Sequence, residues 1–318
     1  TRCLVGSEMC IRDRFYSLTS MSPKHFLNFQ GITKKDFQKI INRGLELKNS
    51  SDLKKTLKNK VLGLVFEQPS TRTRVSFEAG IQRLGGTSLF LSGKELQLSR
   101  GEPISDTAKV LSSMLDAIVL RTAEHEKLEI FSQNSSVPLI NGLSDLYHPC
   151  QIMADLMTYK EVMSEIELEK VCWIGDGNNV CHSYIEAAKI LGFNLSIFCP
   201  KGHEPNATIL ESSKQFVTLT PSKESALENA NIVTTDVWTS MNSNSQTKEK
   251  EEIFKDFFVS PEDMKKASKN AIFLHCLPAH RGEEITSDML EDQSSKVWVQ
   301  AENRMHIQKA ILEYLLLD

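Results

Sequence analysis

The chain has 318 residues, of which 40% are hydrophobic and 25% charged, with a formal net charge of −4. The length fits two domains, and the composition is that of a globular protein with an ordinary core. The weak acidic balance argues against a general nucleic-acid or membrane-surface binder, and no apolar run approaches the roughly 20 residues of a membrane span.

Residues 1–20 hold neither helical nor strand period. They lack the apolar core of a signal peptide. We expect them to be a non-native or disordered extension, with Met21-Ser22-Pro23-Lys24 as the natural start. From there, Thr33 is placed to cap a helix whose apolar face carries Phe37, Ile40, Ile41 and Leu45. A buried strand is expected at 61–66, then a helix over 71–84 stopped by Gly85-Gly86, a strand at 88–91 and a helix around 105–115. Further on come a strand at 117–122, a helix at 127–134, a strand at 137–143 and a long helix at 150–163. This β-α-β-α order predicts a parallel sheet with helices on both faces.

A second alternating block follows the polar run 165–170. Strands are expected at 170–177, 194–200, 216–220, 231–238 and 271–278, with helices at 181–191, 207–216 and 222–229. The polar stretch 242–253 has no apolar period and reads as a loop or mobile lid. Residues 296–303, "KVWVQAEN", read as extended, and 302–315 as an amphipathic helix. The expected fold class is therefore α/β: two doubly wound parallel-sheet domains joined by helices near 145–165. We expect one domain over 21–150, with the C-terminal helix 302–318 packing back on it, and a second over 151–301.

Seven cysteines are present, at positions 3, 10, 150, 172, 181, 199 and 276, none in C-x-x-C spacing. They read as reduced thiols of a cytoplasmic protein.

In doubly wound sheets, ligands bind beyond the carboxyl ends of the strands, so the residues just after each strand carry the information. "PSTRTR" (69–74) ends a strand and opens a helix. Ser70 is suited to the N-cap, and the free N–H groups of the first turn together with Arg72 make either an anion cradle or a capped helix with solvated arginines. It is not a nucleotide P-loop. Arg121 closes the strand "AIVLR", and it fits either a second guanidinium for the same anion or a surface ion pair. His148 and Gln151, in "HPCQ", offer an imidazole and an amide to a carbonyl and an amino group, though a histidine also suits a helix start. "WIGDGNN" lacks the third glycine of a dinucleotide fingerprint, and its next strand ends in Cys-Pro-Lys rather than an acid. Asp236 at a strand end suits an ammonium group or a cap. Cys276 is either a thiol partly ionised by basic neighbours or an inert core cysteine.

Taken in order, "FEQPSTRTRVSFEAG", "QLSRGEPISDTAKVLSSM", "NGLSDLYHPCQIMAD", "WIGDGNN", "DVWTSM", "HCLPA" and "AENR" resemble the aspartate/ornithine carbamoyltransferase family over about residues 26–316. The resemblance implies that Ser70, Thr71, Arg72 and Thr73 hold the phosphate of carbamoyl phosphate. It implies that Arg121 and His148 bind the carbonyl oxygen, Gln151 the carbamoyl amino group, and that Arg304 and the backbone at Cys276-Leu277 also face this substrate. Gln97 matches a residue lent to the neighbouring subunit, which implies a trimer or a multiple of trimers. Asn179, Asp236, Ser240 and Met241 match contacts to L-ornithine, and Cys276 matches the residue that binds and helps deprotonate the attacking amine. The catalytic set is then Arg121, His148 and Cys276, with no metal or organic cofactor and no nucleic-acid or membrane partner. Asn242 stands where the family has a glycine. The aspartate-specific branch reads His-Pro-Leu-Pro where this chain has His-Cys-Leu-Pro, which favours ornithine, with putrescine or an acylated ornithine as the alternative acceptors.

Overall fold

The computed structural model describes residues 23–93, 101–164, 167–238 and 247–317. The N-terminal run 1–20 therefore lies outside the described residues, as do Gln97, Ser240, Met241 and Asn242.

Helix α1 (Lys34–Asn49) starts at the expected cap. The Thr33 side chain accepts from the Asp36 N–H, and the Asp36 carboxylate accepts from the Thr33 N–H at 2.9 Å. Phe37, Ile40, Ile41, Gly44 and Leu47 are buried on one face. The first sheet then builds through β1 (Val61–Phe66), α2 (Thr71–Arg83), β2 (Thr87–Ser92), α3 (Ile104–Ser112), β3 (Ala117–Arg121), α4 (His125–Asn134) and β4 (Leu139–Leu143). Its strand order is β2-β1-β3-β4, parallel throughout. The near-continuous apolar runs of β1 and β3 follow from burial on both faces of the sheet.

Helix α5 (Pro149–Met163) leads to the second sheet. That sheet comprises β5 (Lys170–Ile174), β6 (Asn194–Phe198), β7 (Val217–Leu219), β8 (Ile232–Thr235) and β9 (Ile272–His275). The order is β7-β6-β5-β8-β9, again parallel. Helices α6 (Asn179–Leu191), α7 (Ala207–Glu211), α8 (Lys223–Leu227), α9 (Thr247–Phe254) and α10 (Pro261–Met264) belong to this half, and α11 (Val297–Leu316) ends the chain, packing on α1, α5 and α2. The protein is thus an α/β molecule of two parallel-sheet domains. Among the described residues no helix is long and apolar enough to cross a membrane.

Three expectations need correction. Residues 297–303 are helical, because α11 buries Val297, Gln300, Asn303, Arg304 and Ile307 at helical spacing. The β-branched and aromatic character of "VWV" is overridden by that packing. The polar run 242–253 contains α9, where lysine and glutamate, good helix formers, dominate the sequence. Its end is anchored by buried Phe254 against Trp238 and Phe257. Helix α7 stops at Glu211, five residues short of expectation.

Candidate active site

Each sheet reverses its winding at one place, between β1 and β3 in the first and between β5 and β8 in the second. The carboxyl ends of these strands face one cleft of about 650 Å³. Its walls come from both domains and from α11.

The first wall is cationic. Ser70 caps α2, accepting from the Thr73 N–H, and its hydroxyl donates to Thr73 Oγ1 at 3.0 Å. Arg304 reaches across from α11 and donates to the same Thr73 oxygen at 2.9 Å. Thr71 and Arg72 are exposed at the cleft, whereas Thr73 is buried and acts as the link between α2 and α11. Arg121, at the end of β3, is 7% exposed, and its Nε has no partner. Burial first, and then the neighbouring Arg304 and Arg72 guanidiniums, push its pKa down to about 10. Three arginines thus converge where carboxylates are few. Glu67, five residues before Arg72, is already held by Thr122 and Lys127.

His148 is the N-cap residue of α5 and 3% exposed. Its own backbone N–H donates to Ser183 Oγ at 2.8 Å, and its ring Nδ1 has no partner among the described residues. Burial and the Arg304 and Arg121 charges hold the imidazole far below its usual pKa, so it is neutral. Gln151 lies one turn further on the same helix face, fully buried behind the cleft wall rather than on it. Its Nε2 donates to Asp155 Oδ1 at 2.9 Å.

The opposite wall is acidic. Asp236 follows β8 and accepts from Asn178 Nδ2 at 2.7 Å and from the Cys276 thiol at 2.9 Å. Burial and the Asp236 carboxylate push the Cys276 thiol well above its ordinary pKa. Of the two readings of Cys276, the partly ionised thiol is therefore set aside: a carboxylate, not a cation, is the charged group that the thiol meets. Asn179 donates to the Ser144 carbonyl at 2.6 Å, and Asp176 lines the same side of the cleft. Leu277 also lines the cleft, with φ of +57°. Its N–H donates to His275 Nδ1 at 2.9 Å, which leaves His275 Nε2 as the donor to Glu284 Oε1. Glu284 also accepts from the His280 N–H, so the 275–284 loop is pinned from within.

Asn178, which the sequence offers beside Asn179 as a short polar group at the sheet edge, caps α6 and donates to Asp236. Other contributors were missed in the sequence. The "GDG" turn is a packing device: a Cβ on Gly177 would lie 2.2 Å from the Pro205 nitrogen. Asp155 and Gln300 form a buried polar layer behind Gln151. "AD" and "VQ" carry no local signal for that contact. Among the described residues two groups have metal-ligand spacing, Asp236/His275/Cys276 and His280/Glu283/Glu284. In the first, the thiol already donates to the carboxylate, and in the second His280 is exposed.

Fold and site together define a two-domain α/β protein whose interdomain cleft has one cationic and one acidic wall. Comparison with known proteins gives the family. Residues 24–161 match the family described as "Aspartate/ornithine carbamoyltransferase, carbamoyl-P binding domain", and residues 168–315 match "Aspartate/ornithine carbamoyltransferase, Asp/Orn binding domain". The chain is similar to the ornithine carbamoyltransferase of Hydrogenovibrio crunogenus, 48% identical over 93% of this chain and 99% of that one. It is 49% identical to "Ornithine carbamoyltransferase 1, anabolic" of Pseudomonas savastanoi pv. phaseolicola, over 93% and 98%. Among solved structures, the ornithine carbamoyltransferase of Pyrococcus furiosus superposes with a TM-score of 0.87 at 40% identity, covering 93% of this chain and 97% of that one. The chain belongs to the aspartate/ornithine carbamoyltransferase family.

Proposed function

We propose that the protein transfers the carbamoyl group of carbamoyl phosphate to the δ-amine of L-ornithine, giving L-citrulline and phosphate in arginine biosynthesis. The observation that carries this reading is the polarity of the cleft: Arg72, Arg121 and Arg304 on one wall, and on the other Asp236 with Asp176, the latter shared with Lys250 and His203. A phosphorylated donor and an amino-acid acceptor with two ammonium groups match those walls.

In this reading, the first-turn N–H groups of α2, with Ser70, Thr71, Thr73 and Arg72, hold the phosphate. Arg304 holds Thr73 in place and adds charge. Arg121 and neutral His148 donate to the carbonyl oxygen, where negative charge grows as the amine attacks. Gln151 reads the carbamoyl amino group, and the backbone of Leu277 closes the same end. Asp236 and Asn179 bind the α-amino end of ornithine, with Ser240 and Met241 completing that contact. The carbamoyl carbon–oxygen bond to phosphate then breaks, and the departing phosphate takes the proton of the new amide. The reading assigns no cofactor, because phosphate is already a competent leaving group.

The attacking amine must lose its proton first. An alkyl ammonium titrates near 10.4, so the neutral form at pH 7 lies about 5 kcal/mol uphill. The un-ionised Cys276 thiol is no strong base. Its place beside Asp236 suits it to orient the amine instead.

The reading includes a homotrimer, in which Gln97 of a neighbouring copy reaches this cleft, and a cytoplasmic location. Exposed Val75 on α2 and Leu89 on β2, 56% and 53% accessible, support an interface beside the phosphate end. The test is carbamoyl transfer measured side by side with ornithine, putrescine, acetylornithine and aspartate. Faster turnover with any acceptor other than ornithine would overturn the assignment.

A further inference from the structure

A carboxylate sits where the reaction just described has no use for a charge. Asp155 lies on α5, four residues beyond Gln151 and seven beyond His148, and it is 2% exposed. Burial pushes its pKa up to about 6, so it remains a carboxylate at neutral pH, able only to accept. Oδ1 accepts from Gln151 Nε2 at 2.9 Å and from Gln300 Nε2 at 2.6 Å. Oδ2 accepts from the Tyr184 hydroxyl at 2.6 Å. Every donor around it is therefore committed.

That commitment fixes the two amides. A glutamine side chain presents an oxygen at one end and an NH₂ at the other, and either end fits the same space. An acceptor-only partner removes the choice. The NH₂ of Gln151 must face Asp155, which turns its Oε1 away. Among the described residues that buried oxygen has no partner, and the Oε1 of Gln300 is in the same condition. A lone buried acceptor is a costly feature unless a donor meets it. Gln151 is on the helix face that carries His148 into the cleft, so the donor that suits it belongs to the substrate.

We propose that Asp155 is a positioning residue that sets the amide orientation of Gln151, so that the site presents an acceptor to the NH₂ of a carbamoyl group and discriminates against an acyl phosphate bearing a methyl there. The proposal rests on the assignment of Gln151 to the carbamoyl end. Asp155 touches no substrate. It acts at one remove, through an amide, and the Arg304 guanidinium also feels its charge.

Stable analogues isolate the effect. Phosphonoacetamide carries the CONH₂ group, and the corresponding methyl ketone, 2-oxopropylphosphonate, replaces its NH₂ with CH₃. Their affinities and that of inorganic phosphate are to be measured by calorimetry on the full chain, for the unaltered protein, Asp155→Ala, Gln151→Met and the double variant. The unaltered protein should prefer the amide to the ketone by at least ~10-fold, the effect of one buried donor finding or losing its acceptor. Asp155→Ala should bring that preference to within about threefold of unity while phosphate affinity changes less than about threefold. In the Gln151→Met background, Asp155→Ala should change the preference no further, because the two residues act as a unit.

Parallel weakening of all three ligands by Asp155→Ala would show a general structural role and overturn the proposal. So would an Asp155→Ala effect on the preference that persists with Met at 151. A Gln151→Met variant that keeps the amide preference would instead remove the assignment of Gln151 itself, a separate failure.

Discussion

Replacing Arg121 by methionine should make the ligand-free protein more stable while destroying its activity. Arg121 is buried, its Nε has no partner among the described residues, and its guanidinium faces Arg304 and Arg72. Its pKa falls from 12.5 to about 10, a difference of about 3 kcal/mol against the charged form in the folded state. The sign follows from linkage. A base whose folded pKa is depressed destabilises the fold at every pH below that pKa, and the penalty fades only as pH rises through 10 towards 12.5. At pH 7.5 the whole penalty is present. Methionine keeps the stem's volume and removes the charge, so urea unfolding without ligand should show a gain of about 1–3 kcal/mol after packing differences. Carbamoyl transfer should fall at least ~100-fold in kcat/KM, as for loss of one oxyanion donor. If the variant is instead less stable than the unaltered protein by more than about 1 kcal/mol, Arg121 is a structural cation and the reasoning fails.

Three further outcomes are expected. Arg72→Ala should weaken carbamoyl phosphate binding about 10- to 100-fold, the range of a charge-assisted contact, with the unfolding midpoint unchanged because Arg72 is exposed. A loss under threefold in a competition assay would remove Arg72 from the phosphate end. Cys276→Ala should lower turnover and ornithine affinity more than carbamoyl phosphate affinity, since the thiol's partner is Asp236, and equal effects on both substrates would contradict that placement. The kcat/KM for ornithine should rise close to tenfold per pH unit from 7 to 8. Over that range Asp155 is a carboxylate, His148 stays neutral and Cys276 stays a thiol, so the substrate ammonium is the group that titrates. A flat profile would require a protein base that these two residues do not provide.

Much of the architecture was legible in local pattern. The apolar runs of β1, β3 and β5, the cap at Thr33 and the strand–turn–helix at Ser70 are short-range features, and short-range sterics and hydrogen bonding set them. The ion pair of Arg74 with Glu78, one turn away, is of the same kind. So was the meeting of Arg72, Arg121, His148, Asp236 and Cys276 at one cleft, because parallel winding brings strand ends to one edge whatever the loops do.

What local pattern cannot carry is which charge stands beside which. Cys276 reads as flanked by basic residues in the sequence, yet its thiol meets Asp236, forty positions earlier. Thr73 reads as a phosphate donor, yet its hydroxyl oxygen is shared by Ser70 and by Arg304 from the far end of the chain. The helix through 297–303 exists because it is buried against α5 and α1, not because its residues prefer helix. The sequence by itself determined the strands, the caps and the list of polar groups. The tertiary structure decided ionisation and hydrogen-bond direction, because both depend on burial and on partners drawn from distant segments.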